Sequence, residues 1–229
     1  MSDQDQFDAS PWSDPPPKRE PLFNAPWTLV VLPVLLIGLY ALQSTLLCDP
    51  VRDQWALSPP ALMQGRLWIL LTSLFLHASW PHVLMNSVAI LAFGSPAARL
   101  MGTNVRGAAA FFAFFLVCGV LASLGFVAAD PGDVVPVVGA SGAVSALLGG
   151  ASRLIQGQGR IGSMFGSTVL GMALAWAIAN VVLGVFGLTP GAGGMPVAWQ
   201  AHLAGYLAGV LLIGPFARLA GRGPEVFTQ

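Results

Sequence analysis

From residue 139 the chain runs Gly139-Ala140-Ser141-Gly142-Ala143-Val144-Ser145-Ala146-Leu147-Leu148-Gly149-Gly150. Starting at Ser141, small residues continue through Gly142, Ser145 and Gly149, a stripe at helical spacing. Such a stripe lets a second helix approach closely inside a bilayer. A partner stripe follows His202, through Gly205 and Gly209. Two smooth faces of this kind pack together and set Ser141 beside His202. Polar groups are conspicuous in this chain, because no long apolar run contains an acidic residue and there are only three histidines.

Composition fixes the class. Hydrophobic residues make up 55% of 229 residues, charged residues 9%, and mean hydropathy is +0.72. Soluble domains carry about 25% charged residues, so this chain cannot cover its surface in water and reads as an all-α integral membrane protein. Net charge is zero and there is no basic tract, which excludes nucleic acid as a partner. The two cysteines, Cys48 and Cys118, offer neither a disulfide framework nor metal-ligand spacing. Cys118, amid an apolar run, reads as a small buried hydrophobe. Residues 1–26, with Pro15-Pro16-Pro17-Lys18-Arg19, read as a disordered polar tail. They do not read as a cleavable signal peptide, because the apolar segment starts late and runs too long.

Six apolar runs can cross a hydrocarbon core of roughly 30 Å. They are Trp27 to Leu47, Trp80 to Ala98, Gly107 to Ala129, Ser141 to Ile155, Ser163 to Leu188, and Trp199 to Leu219. The membrane domain therefore covers 27–220, and 221–229 form a short C-terminal tail. Lys18, Arg19, Arg99, Arg106, Arg153, Arg160, Arg218 and Arg222 fall in the tail, the even loops and the C-terminus, against Arg52 and Arg66 in the odd loops. That bias places both termini in the cytoplasm. His77, His82, Asn86, Ser141 and His202 then converge on the outer face.

A serine hydroxyl becomes a nucleophile when a base takes its proton, and histidine is the usual base. Ser141 opens a helix, where free N–H groups and the dipole favour a developing oxyanion. Gly139 and Gly142 allow a tight turn and close approach of a substrate. A Gly-x-Ser-Gly string alone is a common helix-interface feature, and a membrane histidine can be a structural hydrogen-bonder, so the argument rests on their pairing. His77 taken alone reads as a loop-positioning residue. His82 and Asn86 are four apart, share a helix face and can both donate hydrogen bonds, which suits oxyanion donors. A Ser-His-Asp triad needs a buried carboxylate. Asp49, Asp53, Asp130 and Asp133 all lie in loops, so a dyad is the economical mechanism. A metal held by His77, His82 and His202 lacks any further ligand at that depth.

The pattern resembles the rhomboid family of intramembrane serine proteases over roughly Gly65 to Leu219. The resemblance rests on His77-Ala78-Ser79-Trp80-Pro81-His82 with Asn86, then Gly139-Ala140-Ser141-Gly142, then Ala201-His202 with Gly205 and Gly209. It implies a six-helix core with a water-filled cavity opening outward. Ser141 would be the nucleophile and His202 the general base, then acid. His82, Asn86 and the Ser141 N–H would form the oxyanion hole. It implies a partly embedded first loop (Cys48 to Leu76), a mobile fifth loop (Gly187 to Ala198) as a cap, and a fifth segment acting as lateral gate. No cofactor is implied. The partners would be transmembrane protein substrates in a lipid bilayer, cleaved near their outer end where helix-weakening residues occur. The composition fits a bacterial inner membrane.

Two departures stand out. A Trp-Arg pair frequent in the family's first loop is here Trp68-Ile69, with Arg66 before it. A tyrosine one turn after the serine, which stacks on the histidine in many members, is here Ser145, so one restraint on His202 is missing and slower turnover is expected. Two rival readings keep parts of the pattern. One is a rhomboid-like fold that binds membrane clients without cleaving them. The other is a small transporter, which predicts an intramembrane charge or inverted repeats; neither is found.

Overall fold

The computed structural model describes residues 25–47, 49–186 and 197–227. The tail over 1–26 (apart from its last two residues), Cys48, and the fifth loop up to residue 196 lie outside the described residues.

Helix α1 (Trp27–Leu46) leads to three short helices, α2 (Asp49–Asp53), α3 (Pro59–Met63) and α4 (Ile69–Thr72), the last continued by a 3₁₀ turn at Ser73–Phe75. The longer helices follow: α5 (Trp80–Met101), α6 (Val105–Ala129), α7 (Ser141–Gln156), α8 (Ser167–Phe186) and α9 (Trp199–Leu219). Among the described residues there is no extended sheet, only isolated bridges such as Leu57 with Val137. This is the all-helical bundle expected.

Local chemistry sets the ends. The Ser79 hydroxyl accepts from the His82 N–H at 3.2 Å and caps α5, with Pro81 in the first turn where no donor is lost. Asn104 caps α6 by accepting from Gly107 N–H at 2.8 Å. Helix α5 passes the expected end at Ala98, because Arg99 suits a helix C-terminus and does not stop it. Helix α8 begins at Ser167 and not Ser163, its Thr168 N–H donating to Gln156 Oε1 at 2.9 Å.

Among the described residues, five helices are long and apolar enough to cross a membrane: α1, α5, α6, α8 and α9. The expected fourth crossing, α7, is the exception. It has 16 residues, about 24 Å of rise against a core of roughly 30 Å. Yet α7 is the axis of the bundle, with every residue from Gly142 to Leu154 buried and packed against α5, α6, α8 and α9. The main core joins Leu147 and Ala143 of α7 to Phe111, Phe114 and Phe115 of α6 and to Ile213 of α9.

The contact between α7 and α9 is backbone on backbone. A β-carbon on Gly205 would collide with the Gly142 carbonyl, and one on Gly209 with the Ala146 carbonyl. From the other side, a β-carbon on Gly149 would strike the Tyr206 carbonyl. At the far end from Ser141, Arg153 is buried and ties α7 down, donating to the Gly162 carbonyl at 2.8 Å and the Val210 carbonyl at 3.0 Å. Arg106 donates to the Leu219 carbonyl at 2.6 Å at the same end.

Candidate active site

Ser141 is the first residue of α7 and His202 lies in the first turn of α9. The Ser141 hydroxyl is 2.7 Å from His202 Nε2. These side chains are 61 positions apart in sequence, and the α7–α9 seam brings them together. The other imidazole nitrogen, Nδ1, meets Asn180 Oδ1 of α8 in a short hydrogen bond. Asn180 in turn donates from Nδ2 to the Trp176 carbonyl at 2.8 Å. A carbonyl only accepts, so the amide is oriented: its oxygen faces His202, Nδ1 carries the ring proton, and Nε2 is left to accept from Ser141.

His82 and Asn86 come from α5. His82 Nδ1 accepts from the Ala78 N–H at 3.4 Å, which leaves Nε2–H as its free donor. That Nε2 would lie 2.8 Å from a β-carbon on Gly139, with Asn86 Nδ2 at 3.8 Å. Gly139 has φ +120°, a conformation that L side chains rarely adopt. Both the backbone and the His82 ring therefore demand glycine there. Asn86 is buried and donates to the His82 carbonyl at 3.1 Å, with its second amide hydrogen still available. Ser141, as the first helical residue, has a backbone N–H without an intrahelical partner.

His77 does not enter the site. It is fully buried behind His82, ring centroids 5.0 Å apart, and beside Tyr40. Its backbone is gripped by Gln43 of α1, whose Nε2 donates to the His77 carbonyl at 2.6 Å while its Oε1 accepts from the His77 N–H at 3.0 Å. Neither ring nitrogen has a partner among the described residues. Burial, and then the neighbouring His82, push its pKa down to about 3. Ser145 is also withdrawn: its hydroxyl donates to the Ser141 carbonyl at 2.8 Å. The ring beside His202 is instead Trp176, centroids 6.3 Å apart.

Ser141, His202, His82, Asn86, Asn180 and Trp176 line one cavity of about 440 Å³, with Asp130 and Asp133 at its loop side. That size is ordinary for a substrate pocket. A family model for the Rhomboid domain matches residues 64–218, about two thirds of the chain. The chain belongs to the rhomboid family. It is thus a multi-pass integral membrane protein, and its family supports an intramembrane protease. The chain is also similar to a Bacillus subtilis (strain 168) protein described as "Putative rhomboid protease YdcA", 35% identical over 85 residues. That match spans 37% of this chain and 40% of the relative.

Asn180 is a site residue not singled out above: a third member was expected among carboxylates, whereas an amide oxygen also accepts from Nδ1–H. The signal was present: Asn180 is the polar interruption in Leu174-Ala175-Trp176-Ala177-Ile178-Ala179-Asn180-Val181-Val182-Leu183.

Proposed function

We propose that this chain is an intramembrane serine endopeptidase, with Ser141 as nucleophile and His202 as general base and then acid. The observation that carries the reading is the 2.7 Å approach of Ser141 Oγ to His202 Nε2 at the wall of a cavity. Ser141 Oγ attacks the scissile carbonyl as its proton passes to Nε2. The resulting oxyanion is held by the Ser141 N–H, His82 Nε2–H and Asn86 Nδ2–H. His202 returns the proton to the leaving amine, which gives an acyl-enzyme and a free amino terminus. Water, deprotonated by His202, then releases the acyl product.

On this reading α7 joins the five longer helices as a sixth crossing. The arginines at the Arg153 end support, through the positive-inside bias, a topology with both termini in the cytoplasm. The site then opens to the outer face of a bacterial inner membrane. A peptide bond inside a helix is shielded, so substrates are transmembrane segments of other proteins that unwind readily near their outer end.

The test is covalent labelling of purified protein by a fluorophosphonate, comparing wild type with Ser141→Ala and His202→Ala. Labelling of wild type that is lost in both variants is expected. A folded wild type that takes no label supports the rival in which the fold binds membrane clients without cleaving them.

A further inference from the structure

We infer that Asn180 is a positioning residue that fixes the proton and the ring plane of His202, so that Ser141, His202 and Asn180 form a hydrogen-bonded chain with its third member on α8. The inference rests on the reading of Ser141 and His202 as the catalytic pair.

Three observations carry it. First, the Asn180 amide has one available orientation, because Nδ2 is committed to the Trp176 carbonyl at 2.8 Å. Its oxygen therefore always faces Nδ1, selecting the tautomer whose Nε2 accepts from Ser141. Second, Asn180 is out of place in its helix unless it has this task. Among the described residues of α8 only Val169 and Asn180 are buried, while Val181, Val182 and Leu183 beside it are exposed. A polar side chain within a membrane helix is costly and needs a partner. Third, no other side chain among the described residues hydrogen-bonds His202 at Nδ1, and Ser145 turns away to the Ser141 carbonyl. Trp176, one turn before Asn180, places its ring beside His202, so α8 supplies the orienting bond and a restraining surface together.

An amide holds a neutral ring without adding charge, unlike a carboxylate. Nδ1–H donates to Asn180 throughout, and the proton that moves in catalysis is the one shared between Ser141 Oγ and Nε2. Asn180 touches no reacting atom. Its effect appears in the rate constant and not in substrate binding.

The experiment measures fluorophosphonate labelling rates from about pH 5 to 9 for wild type, Asn180→Ala and Asn180→Asp, with thermal melting of each. Asn180→Ala is expected to label roughly 10- to 100-fold more slowly, less than the ~10⁴-fold cost of a wrong tautomer where a charged aspartate does the orienting. Asn180→Asp, which keeps an acceptor facing Nδ1, is expected to recover most of the rate. It should also move the acid limb of the pH–rate profile toward neutrality, because a carboxylate there favours the protonated ring. The aspartate variant keeps the test decisive if the alanine variant folds poorly. Equal losses in both variants with an unchanged pH profile would mean that Asn180 only packs, and the inference falls. It also falls if Asn180→Ala labels at the wild-type rate. Absence of label in wild type, or label that survives Ser141→Ala, overturns instead the reading of the catalytic pair.

Discussion

Helix α9 has two very different neighbours at the site. Toward α7 it is glycine on carbonyl, with no side chain between the backbones. Toward α8 it is held by individual side chains, the His202–Asn180 bond and a Tyr206 hydroxyl that donates to the Val169 carbonyl at 2.9 Å. The first contact has no slack, since any added atom meets backbone. The second leaves most of α8 facing outward. The distance between serine and histidine is thus set by the stiff contact, and the orientation of the histidine by the loose one. Distance tolerates no error and needs the rigid seam, while orientation needs only a hydrogen bond.

The contrast is broken most severely at the stiff contact. Gly209→Val places two methyl groups against the Ala146 carbonyl, and the helices must separate. Overpacking among side chains costs about 1–3 kcal/mol, and a clash with backbone that no rotamer relieves lies well above that range. We expect a large fall in melting temperature and complete loss of fluorophosphonate labelling, even in molecules that remain folded. Labelling retained at the wild-type rate would show that the seam does not set the distance.

The wall that carries His82 offers an intermediate case. Gln43→Leu leaves the buried His77 N–H and carbonyl without partners, at about 1–3 kcal/mol for each group. Chemical denaturation should show a stability loss of that order, together with slower labelling as His82 loses its support. His77 itself adds a pH dependence. Its pKa falls from 6.5 to about 3 on folding, so between those values the unfolded chain binds more protons and stability drops as pH falls. From pH 7 to pH 5 the loss is about 2 kcal/mol at ~1.4 kcal/mol per unit. Denaturation at the two pH values measures it, and His77→Phe should flatten the slope.

The smallest effect belongs to the loose contact. Tyr206→Phe removes one hydrogen bond to α8, about 0.5–1.5 kcal/mol. Melting should shift slightly, with labelling little changed as long as Asn180 still holds His202. A loss of labelling as large as that of Gly209→Val would show that α8 is held as tightly as α7.

Much of this architecture was legible in the sequence. Trp199 to Leu219 is read with both ends as found, and α7 and α1 differ by one residue each. Long apolar runs announce themselves, and the starts of α5 and α7 coincide with Ser79 and with the Gly139 turn. The fifth run was less clear. Met164 and Phe165 extend the apolar run backward, but the chain there makes a turn in which the Gly166 N–H donates to the Ser163 carbonyl at 3.4 Å. Helices α2, α3 and α4 were hidden, because five residues or fewer carry no periodicity to detect. The small-residue stripes located the seam, and polar residues in apolar runs located Ser141, His202, His82 and Asn86. Asn180 carried the same signal. It was lost through a chemical assumption, that only a carboxylate orients a histidine.

The shortness of α7 makes it a ruler. Arg153 pins one end through two carbonyls, and Ser141 stands twelve residues away, about 18 Å along the axis. No turn can stretch, because the helix is buried on every side from Gly142 to Leu154. Inserting a single residue between Ser141 and Arg153 would raise the hydroxyl by about 1.5 Å and swing it through about 100°, away from α9 altogether. The depth at which this molecule can present its hydroxyl is therefore written as a count of residues, and a bilayer that thickens or thins around it leaves that count unchanged.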